Sequence, residues 1–271
     1  MPSRVDSFPS WGDEIDASEL INGEGGQLLQ SYTKMRPENI ESHVKYIAKK
    51  GWNVLRYPCF QQFLFLHLDL SRSPIYQKVI KQTQSGGLLL DIGCGLGQDL
   101  RRLVQDGVPG KNLIGLEIQH AYIDLGYELF QDKSMLQCKF LVQDFFKDTA
   151  ELVSLEKKIT IMNSGYFMHM FDWEKQLDVA KRMIHLIAPS EGSIITGVNF
   201  GSSHFAGPFS DVPPGFDAIY LHNQHSLSEI WSEAAKATGT KWKFDCVIED
   251  DKNFKNMASG GCRLRWTVEK Q

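Results

Sequence analysis

The sequence predicts an α/β protein built on a doubly wound, largely parallel sheet, and three observations lead to this fold class. The first is residues 88–97, LLLDIGCGLG, where an apolar run ends in an acid and alternate glycines precede a helical pattern. The second is the alternation of short apolar runs with helix-period patterns from residue 87 onward. The third is an apolar block over residues 37–83, which predicts a helical lid before the first strand.

The segment before the first strand is predicted to hold an arm and several helices. Residues 1–24 are polar and loop-like. A helix is expected over 37–50, because proline lies in its first turn, apolar residues line one face and Gly51 follows as a stop signal. The apolar residues of 60–70 also have helical spacing, and a further helix is expected to open at Ser73.

The rest of the chain alternates between strand and helix signals. The expected strands lie near residues 87–91, 112–117, 138–142, 157–163, 192–199, 242–248 and 261–268. The expected helices lie near residues 98–106, 120–131, 145–154, 172–187 and 226–239. Asp172 is a suitable N-cap for the fourth of these helices, and Ser226 with Glu229 suggests a capping box for the last.

The glycine turn after the first strand is the strongest indication of a ligand site. Gly93, Gly95 and Gly97 allow a sharp turn and let a ligand approach bare backbone at a helix N-terminus. Their spacing differs from the G-x-G-x-x-G of dinucleotide-binding proteins. Asp91 before the turn and Asp99 after it would repel a pyrophosphate, whereas they suit a ligand that carries an ammonium and a sulfonium group. Within the turn, Cys94 is interpreted as a small apolar filler.

Acids also end the next two strands. Glu117 lies 20 residues beyond Gly97, the distance at which an acid commonly accepts ribose hydroxyls. The third strand ends in Asp144, with the aromatic Phe145 directly after it. Because the carboxyl ends of parallel strands form the ligand crevice of such sheets, these acids are expected near the glycine turn.

Together these segments resemble class I S-adenosylmethionine (SAM) methyltransferases, whose first motif is acid-x-Gly-x-Gly-x-Gly. The resemblance covers residues 85–271 and implies a Rossmann-like, doubly wound sheet of seven strands whose last two strands are antiparallel neighbours. It implies SAM as cofactor, with Asp144 accepting from the adenine amino group, its neighbour packing on the ring, and Tyr32 closing over the cofactor. The implied cofactor residues are Asp91, Gly93, Cys94, Gly95, Gly97, Asp99, Glu117, Ile118, Asp144, Phe145, Asn163 and Tyr32.

The whole chain is similar to a narrower group, small fungal methyltransferases of meroterpenoid biosynthesis. The similar stretches are Tyr57-Pro58-Cys59-Phe60, the motif from Asp91 to Asp99, and Gly115-Leu116-Glu117. This likeness implies an O-methyltransferase that makes methyl esters of prenylated aromatic polyketide acids. It also implies two parts, an arm and lid over residues 1–84 and a SAM-binding domain over 85–271.

The loop after the fourth strand, residues 163–171, is expected to face the methyl group. It lacks the proline pair of enzymes that methylate nucleobase amines, which counts against a nucleic-acid substrate. Its aromatic and methionine side chains suit a hydrophobic small molecule, and Tyr166 and His169 are candidate catalytic residues. The long segment 200–225 is expected to form a second substrate wall, with His204 as the third candidate.

Two smaller groups of residues have a simpler interpretation. His222 and His225 have the spacing of metal ligands, but no third ligand is evident, so a satisfied surface pair and no metal site are expected. Trp52 and Tyr57 are candidates for substrate contact, although core packing is the favoured interpretation for both.

Composition limits the remaining possibilities. The net charge is −4 and positive and negative residues are mixed, so the sequence has no charge pattern typical of nucleic-acid binding. No apolar run is long enough to span a bilayer. The five scattered cysteines indicate free thiols in a reducing compartment, and the N-terminus has no signal pattern, so a cytoplasmic enzyme is expected. A homodimer is an open possibility.

Several functions remain open. A carboxylate substrate is already ionised at neutral pH, whereas a phenol, with a pKa of about 10, needs a base such as His169 or His204. A non-catalytic, regulatory SAM-binding protein and a dinucleotide-dependent oxidoreductase are further alternatives. The glycine spacing and Asp91 argue against the oxidoreductase.

Overall fold

A computed structural model of the chain describes residues 18–212 and 217–271. These residues divide into two compact units. The first unit holds the N-terminal segment up to Gly86 together with Cys94–Phe145, and the second holds Gly87–Gly93 together with Phe146–Gln271. The domain boundary expected between residues 84 and 85 stays a prediction.

Helices flank the strands in both units. In the described residues, the first unit has α1 (Ser18–Asn22), α2 (Glu24–Thr33), α3 (Pro37–Val54), α4 (Pro58–Gln61), α5 (Tyr76–Gln84), α6 (Gln98–Gln105) and α7 (His120–Phe130). The second unit has α8 (Ala150–Val153), α9 (Trp173–Leu186), α10 (Gln224–Ala237) and α11 (Lys252–Met257).

Seven strands form a mixed sheet, which confirms the predicted fold class. The described residues hold nine strands in all, and every one except β6 and β7 belongs to this sheet. In chain order they are β1 (Leu88–Ile92), β2 (Leu113–Glu117), β3 (Lys139–Val142), β4 (Ile159–Gly165), β5 (Ile194–Ser202), β6 (Gly207–Phe209), β7 (Ile219–Leu221), β8 (Trp242–Asp250) and β9 (Gly261–Lys270). In the first unit β2 and β3 are parallel. In the second unit the order is β1-β4-β5-β9-β8, with β1, β4 and β5 parallel and β9 and β8 antiparallel, as predicted for the last two strands. The remaining two strands, β6 and β7, form a separate hairpin in the second unit.

The N-terminal helices share a hydrophobic core with α6 and α7 in the first unit. Trp52 is 7% exposed within this core, and Tyr57 packs against it, as favoured from the sequence. The lid residues therefore contribute to the core of this unit. The buried members are Leu28, Leu29, Ile40, Val44, Ile47, Ala48, Trp52, Phe60, Phe63, Phe65, Leu66, Leu68, Leu96, Tyr122, Leu125, Leu129 and Phe130.

Three N-terminal predictions are wrong in detail. Gly51 does not end its helix, because α3 continues to Val54 and a side chain at Gly51 would collide with the Phe60 ring. Residues 60–70 do not form one helix, since Phe63 has a left-handed φ of 53° and only a 3₁₀ turn follows it. The loop-like arm contains α1 and the start of α2, while residues 1–17 of that arm lie outside the described residues.

The second unit departs from the predictions at three further places. The helix expected over 145–154 is reduced to α8, which begins after its cap Thr149. The capping box of α10 joins Asn223 to Ser226, so Ser226 is the third helical residue and does not cap the helix. The segment 200–225 contains the hairpin of β6 and β7, while residues 213–216 of that segment lie outside the described residues.

The cap predicted for α9 is confirmed, since the Asp172 carboxylate accepts from the Lys175 N–H at 2.8 Å. All five cysteines are free, as expected. Burial raises the pKa of the Cys59 thiol to about 12 and that of Cys262 to about 11, so neither is ionised at neutral pH. Among the described residues, no helix combines the length and apolar character that a membrane crossing requires.

Candidate active site

The glycine turn adopts the conformation that its sequence predicts. Gly93, Gly95 and Gly97 have φ values of 66°, 54° and 70°, all in the left-handed region that favours glycine. A Cβ at Gly95 would meet no atom within 4 Å, so the backbone there borders open space. Cys94 is 4% exposed and its N–H donates to the Leu116 carbonyl at 3.1 Å, consistent with a filler that anchors the turn to β2.

Glu117, at the end of β2, is oriented by the glycine turn. One carboxylate oxygen accepts from the Gly95 N–H at 3.0 Å, and the other accepts from the Gln119 N–H at 2.9 Å. Burial raises the pKa of Glu117, while these backbone donors favour its ionised form. Each oxygen has further acceptor capacity, which suits a diol such as ribose. The next residue, Ile118, is 59% exposed and offers apolar surface to a base.

Tyr122 is a candidate that sequence reasoning missed. Its ring packs 5.0 Å from that of Phe60, and its buried hydroxyl has no hydrogen-bond partner among the described residues. Burial raises the pKa of Tyr122, and the nearby Cys59 and Glu117 raise it further. An unsatisfied hydroxyl near Glu117 suits a second polar contact to the same ligand. Its position in the first turn of α7 is the only signal that the sequence offers.

Asp144 and Phe145, which follow β3, differ in their exposure to solvent. The Gln143 N–H donates to the Glu117 carbonyl at 3.1 Å, which ties the end of β3 to the end of β2. Asp144 is partly exposed, whereas Phe145 is 2% exposed. Ile118 is therefore an accessible apolar neighbour of the acids, and a contact of Phe145 with adenine stays a prediction.

Two other predicted cofactor residues have protein partners. Asp99 is 6% exposed and accepts from the Leu70 N–H at 3.2 Å, so it fixes the segment before α5. The Tyr32 hydroxyl donates to Asp132 at 2.9 Å, and its ring packs edge-on against Phe130. Burial and Asp132 raise the pKa of Tyr32. Direct contacts of Asp99 and Tyr32 with the cofactor stay predictions.

A buried ion pair behind the glycine turn was also missed. Arg101 donates to the Asp132 carboxylate through Nε at 2.8 Å and Nη2 at 3.0 Å, and both side chains are at most 1% exposed. The Arg101 Nη1 donates to the Leu96 carbonyl at 2.7 Å and to the Gly97 carbonyl at 3.3 Å. The partners are 31 residues apart, so no local sequence pattern reveals the pair.

In the second unit, two predicted site residues lie together. The Asn163 amide donates to the Asp91 carboxylate at 2.8 Å, and the two residues are 3% and 4% exposed. They occupy paired positions on the parallel strands β4 and β1. This bond fixes the acid at the end of β1, directly before the turn.

The loop after β4 leads into an aromatic cluster, defined here as Tyr166, His169, Phe200, Phe209 and Phe254. Tyr166 has a left-handed φ of 54°, and its N–H donates to the Val198 carbonyl at 2.7 Å. Its ring lies 5.8 Å from that of His169 and 6.0 Å from that of Phe254. Edge-on contacts dominate the aromatic cluster, which is an apolar environment for any bound group.

His169 brings a titratable ring to the aromatic cluster. The residue is partly exposed, but its Nδ1 is buried and has no hydrogen-bond partner in the described part of the chain. Burial lowers the pKa of His169 to about 4, so the ring is neutral at physiological pH. It can donate or accept a hydrogen bond, but it is a weak base.

His204, the other candidate base, has a different environment. It is exposed and packs on Gly260, and its Nδ1 lies 3.2 Å from the Ser259 hydroxyl. The structure thus places Tyr166 and His169 together and gives His204 separate neighbours.

The expected surface pair of histidines is wrong, because His222 is 1% exposed and its Nδ1 lies 2.9 Å from the Ser226 hydroxyl. His225 is exposed and pairs with Glu229 at 3.2 Å. Within the described ranges, no three His, Cys, Asp or Glu side chains are grouped to hold a metal ion.

Comparison with known proteins identifies the family. Residues 12–66 match a family described as the meroterpenoid methyltransferase N-terminal domain, and residues 83–256 match a methyltransferase domain family. O-methyltransferase phiE, from a fungus recorded as Fungal sp., is 36% identical over 90% of this chain and 82% of its own length. Asnovolin E/Chermesin D methyltransferase nvfJ from Aspergillus novofumigatus is 31% identical over 93% of this chain and 91% of its own length.

A solved structure with the same fold is the Burkholderia thailandensis 1,6-didemethyltoxoflavin-N1-methyltransferase, which contains S-adenosylhomocysteine. It aligns with a TM-score of 0.55 at 12% identity, over 88% of this chain and 91% of its own. The chain therefore belongs to the family of fungal methyltransferases that includes phiE and nvfJ, and its N-terminal residues match the meroterpenoid methyltransferase N-terminal domain. Its fold is that of class I SAM-dependent methyltransferases. Its cofactor is SAM, and its reaction is methyl transfer to oxygen.

Proposed function

We propose that this enzyme forms a methyl ester on the carboxylate of a hydrophobic small molecule, a prenylated aromatic polyketide or meroterpenoid intermediate. The observation that carries the proposal is His169, whose pKa is lowered to about 4 inside the aromatic cluster. A base this weak is poorly matched to a phenol, whose pKa is about 10. A carboxylate is already ionised at neutral pH and needs no proton transfer.

The cofactor is assigned to residues whose geometry suits it. When bound, SAM supplies an electrophilic methyl group on a positively charged sulfur. In the first unit, the Glu117 carboxylate accepts the ribose hydroxyls, the open backbone at Gly95 allows close approach, and Ile118 packs on the adenine. Asp144 accepts from the adenine amino group. The role of Asp91, in the second unit, as a cofactor residue stays a prediction.

The aromatic cluster is assigned to the acceptor. Its rings supply apolar surface for a prenylated aromatic skeleton and exclude water from the reacting oxygen. The neutral His169 ring donates a hydrogen bond to the acceptor carboxylate, which orients one oxygen. The N-terminal family is described as that of meroterpenoid methyltransferases, and the relative nvfJ is named a methyltransferase of asnovolin E and chermesin D, which supports this substrate class.

The alternative is phenol methylation with a histidine base. A prenylated hydroxybenzoic acid carries both groups and separates the two proposals in one reaction with labelled SAM. We expect one methyl gained by mass spectrometry and its complete removal by mild alkali, because an ester hydrolyses and an aryl ether does not. A product stable to alkali would contradict the carboxylate proposal.

The same acceptor tests His169 directly. For ester formation, His169→Gln lowers kcat by less than about tenfold and leaves the pH profile flat near neutrality, because orientation alone is lost. If His169 is instead the base for a phenol, the loss is roughly 100- to 10,000-fold. His225→Gln, a change at an exposed histidine of the same unit, is the matched control and keeps the original kcat.

The cytoplasmic location and the homodimer also stay predictions. Light scattering on the purified enzyme measures the second of these, and a mass near 30.8 kDa would contradict it.

A further inference from the structure

A continuous set of polar contacts in the first unit links helix α2 to the glycine turn. The Tyr32 hydroxyl donates to Asp132 Oδ2 at 2.9 Å. The same carboxylate accepts two bonds from Arg101, at 2.8 and 3.0 Å. The remaining Arg101 nitrogen donates to the carbonyls of Leu96 and Gly97, at 2.7 and 3.3 Å. These five residues are called the Tyr32 relay below.

The surroundings leave the relay little freedom to rearrange. The guanidinium carbon of Arg101 lies 4.7 Å from the centre of the Phe130 ring, and it also stacks near two further rings. A Cβ at Gly97 would lie 2.7 Å from Arg101 Nη1, and a Cβ at Gly126 would collide with the Leu96 carbonyl. A buried charge is stabilised only while its hydrogen-bond partners are in place. The orientation of the Arg101 guanidinium therefore depends on the position of the Asp132 carboxylate.

We infer that Tyr32 is a positioning residue for cofactor binding, which acts on the glycine turn through Asp132 and Arg101. Its hydroxyl fixes the Asp132 carboxylate, the carboxylate fixes the guanidinium, and the guanidinium fixes the carbonyls that follow Gly95. The inference rests on the proposed cofactor site, in which Gly95 and Glu117 receive SAM. It gives the N-terminal helices a role in SAM affinity that needs no contact between Tyr32 and SAM.

The experiment compares steady-state kinetics of the full-length enzyme and its variants at varied SAM. Tyr32→Phe keeps the ring against Phe130 and removes only the hydroxyl. We expect the KM for SAM to rise about fivefold or more, with kcat at saturating SAM and the KM for the acceptor unchanged. A purely structural role would lower kcat through a smaller active fraction and leave the KM for SAM unchanged, which would overturn the inference.

Tyr127→Phe is the matched control. The Tyr127 ring also lies near Arg101, at 5.5 Å, but no bond from its hydroxyl to Asp132 is present in the described residues. We expect its KM for SAM to equal that of the unmodified enzyme. An equal rise in the KM for SAM in Tyr32→Phe and Tyr127→Phe would show that loss of either phenol hydroxyl has the same effect, and it would overturn the inference.

A second variant, Arg101→Lys, keeps a cation for Asp132 but lacks the fork that also reaches Leu96. It is expected to raise the KM for SAM at least as much as Tyr32→Phe. Because the two changes act through one path, the double variant should have a KM no higher than the worse single variant. Independent, multiplying effects would contradict a relay and would favour a direct contact between Tyr32 and SAM.

Glu117→Gln separates this inference from the proposed site. If Glu117→Gln raises the KM for SAM and Tyr32→Phe does not, the relay is wrong and the cofactor site stands. If neither variant changes the KM for SAM, the proposed cofactor site is wrong and the inference fails with it.

Discussion

The residues assigned to the cofactor and those assigned to the acceptor are held in opposite ways. In the first unit, both oxygens of Glu117 accept backbone N–H groups, and Arg101 behind the turn donates four hydrogen bonds. In the second unit, the aromatic cluster is held by ring packing, and its member His169 has a buried nitrogen without a partner among the described residues.

This contrast has a physical reason. Charged groups with several directed bonds have one low-energy arrangement, which suits a cofactor that is the same in every turnover. Ring packing is less directional, so aromatic surfaces accept apolar skeletons of differing shape. In the proposed function, specificity for SAM is thus built from hydrogen bonds, and specificity for the acceptor is built mainly from shape.

The largest expected effect on the free energy of unfolding comes from breaking the buried ion pair between Arg101 and Asp132 in the first unit. Arg101→Met leaves the Asp132 carboxylate buried without its cation, and it should lower the free energy of unfolding by about 3–5 kcal/mol. Arg102→Met, at the next residue, breaks a more exposed pair with Asp106 and should cost less than about 1 kcal/mol. Denaturant unfolding of both variants checks this. A difference below about 1 kcal/mol would show that the pair does not hold the first unit together.

A buried histidine in the second unit provides the next test. Burial lowers the pKa of His222 to about 4, and its Nε2 has no partner among the described residues. Because the unfolded pKa is about 6.5, the unfolded chain takes up the proton first as the pH falls. The contribution of His222 to stability is therefore intact above pH 6.5 and is reduced by about 3 kcal/mol at pH 4.

The measurement is the free energy of unfolding between pH 7 and pH 4 for the unmodified enzyme and for His222→Gln. The variant should lose less stability over this range, whatever its stability at pH 7. Equal slopes for the two proteins would mean that folding does not lower the pKa of His222.

The sequence predicted the elements whose signals are local. The cap at Asp172 and the sharp glycine turn after β1 were predicted correctly, as was most of the alternation of strands and helices. The helix expected over 60–70 failed because Phe63 turns the chain, even though its neighbours have helical spacing. Helix α2 was not predicted, because the glycines at its start are typical of a loop. In the structure, Gly25 instead allows the helix to pack against the backbone of Leu66.

Site residues divide in the same way. Glu117 and Asp91 could be proposed for the cofactor site because each ends an apolar strand and lies at a fixed distance from the glycines. Arg101 was not found, because its role depends on Asp132, which is distant in sequence. The weak basicity of His169 could not be predicted either, since it results from burial by rings on other elements.

Two glycines with similar left-handed φ values give the smallest expected effect and the most specific test of the contrast between the units. Gly95 in the turn has a φ of 54°, and Gly239 after α10 in the second unit has a φ of 63°. A Cβ at either position would meet no atom within 4 Å. Alanine at each should therefore lower the free energy of unfolding by a similar amount, about 1–2 kcal/mol, because an L-residue is disfavoured in this conformation.

Their effects on SAM should differ. Gly95→Ala places a methyl group where the cofactor approaches the backbone, so calorimetric titration should show SAM affinity reduced about tenfold, equivalent to about 1.4 kcal/mol. Gly239→Ala should bind SAM as the unmodified enzyme does, since it lies in the last turn region of a helix unrelated to the cofactor residues. If both variants bind SAM equally well, the open space at Gly95 is not where the cofactor lies, and hydrogen bonds from the turn do not set its specificity.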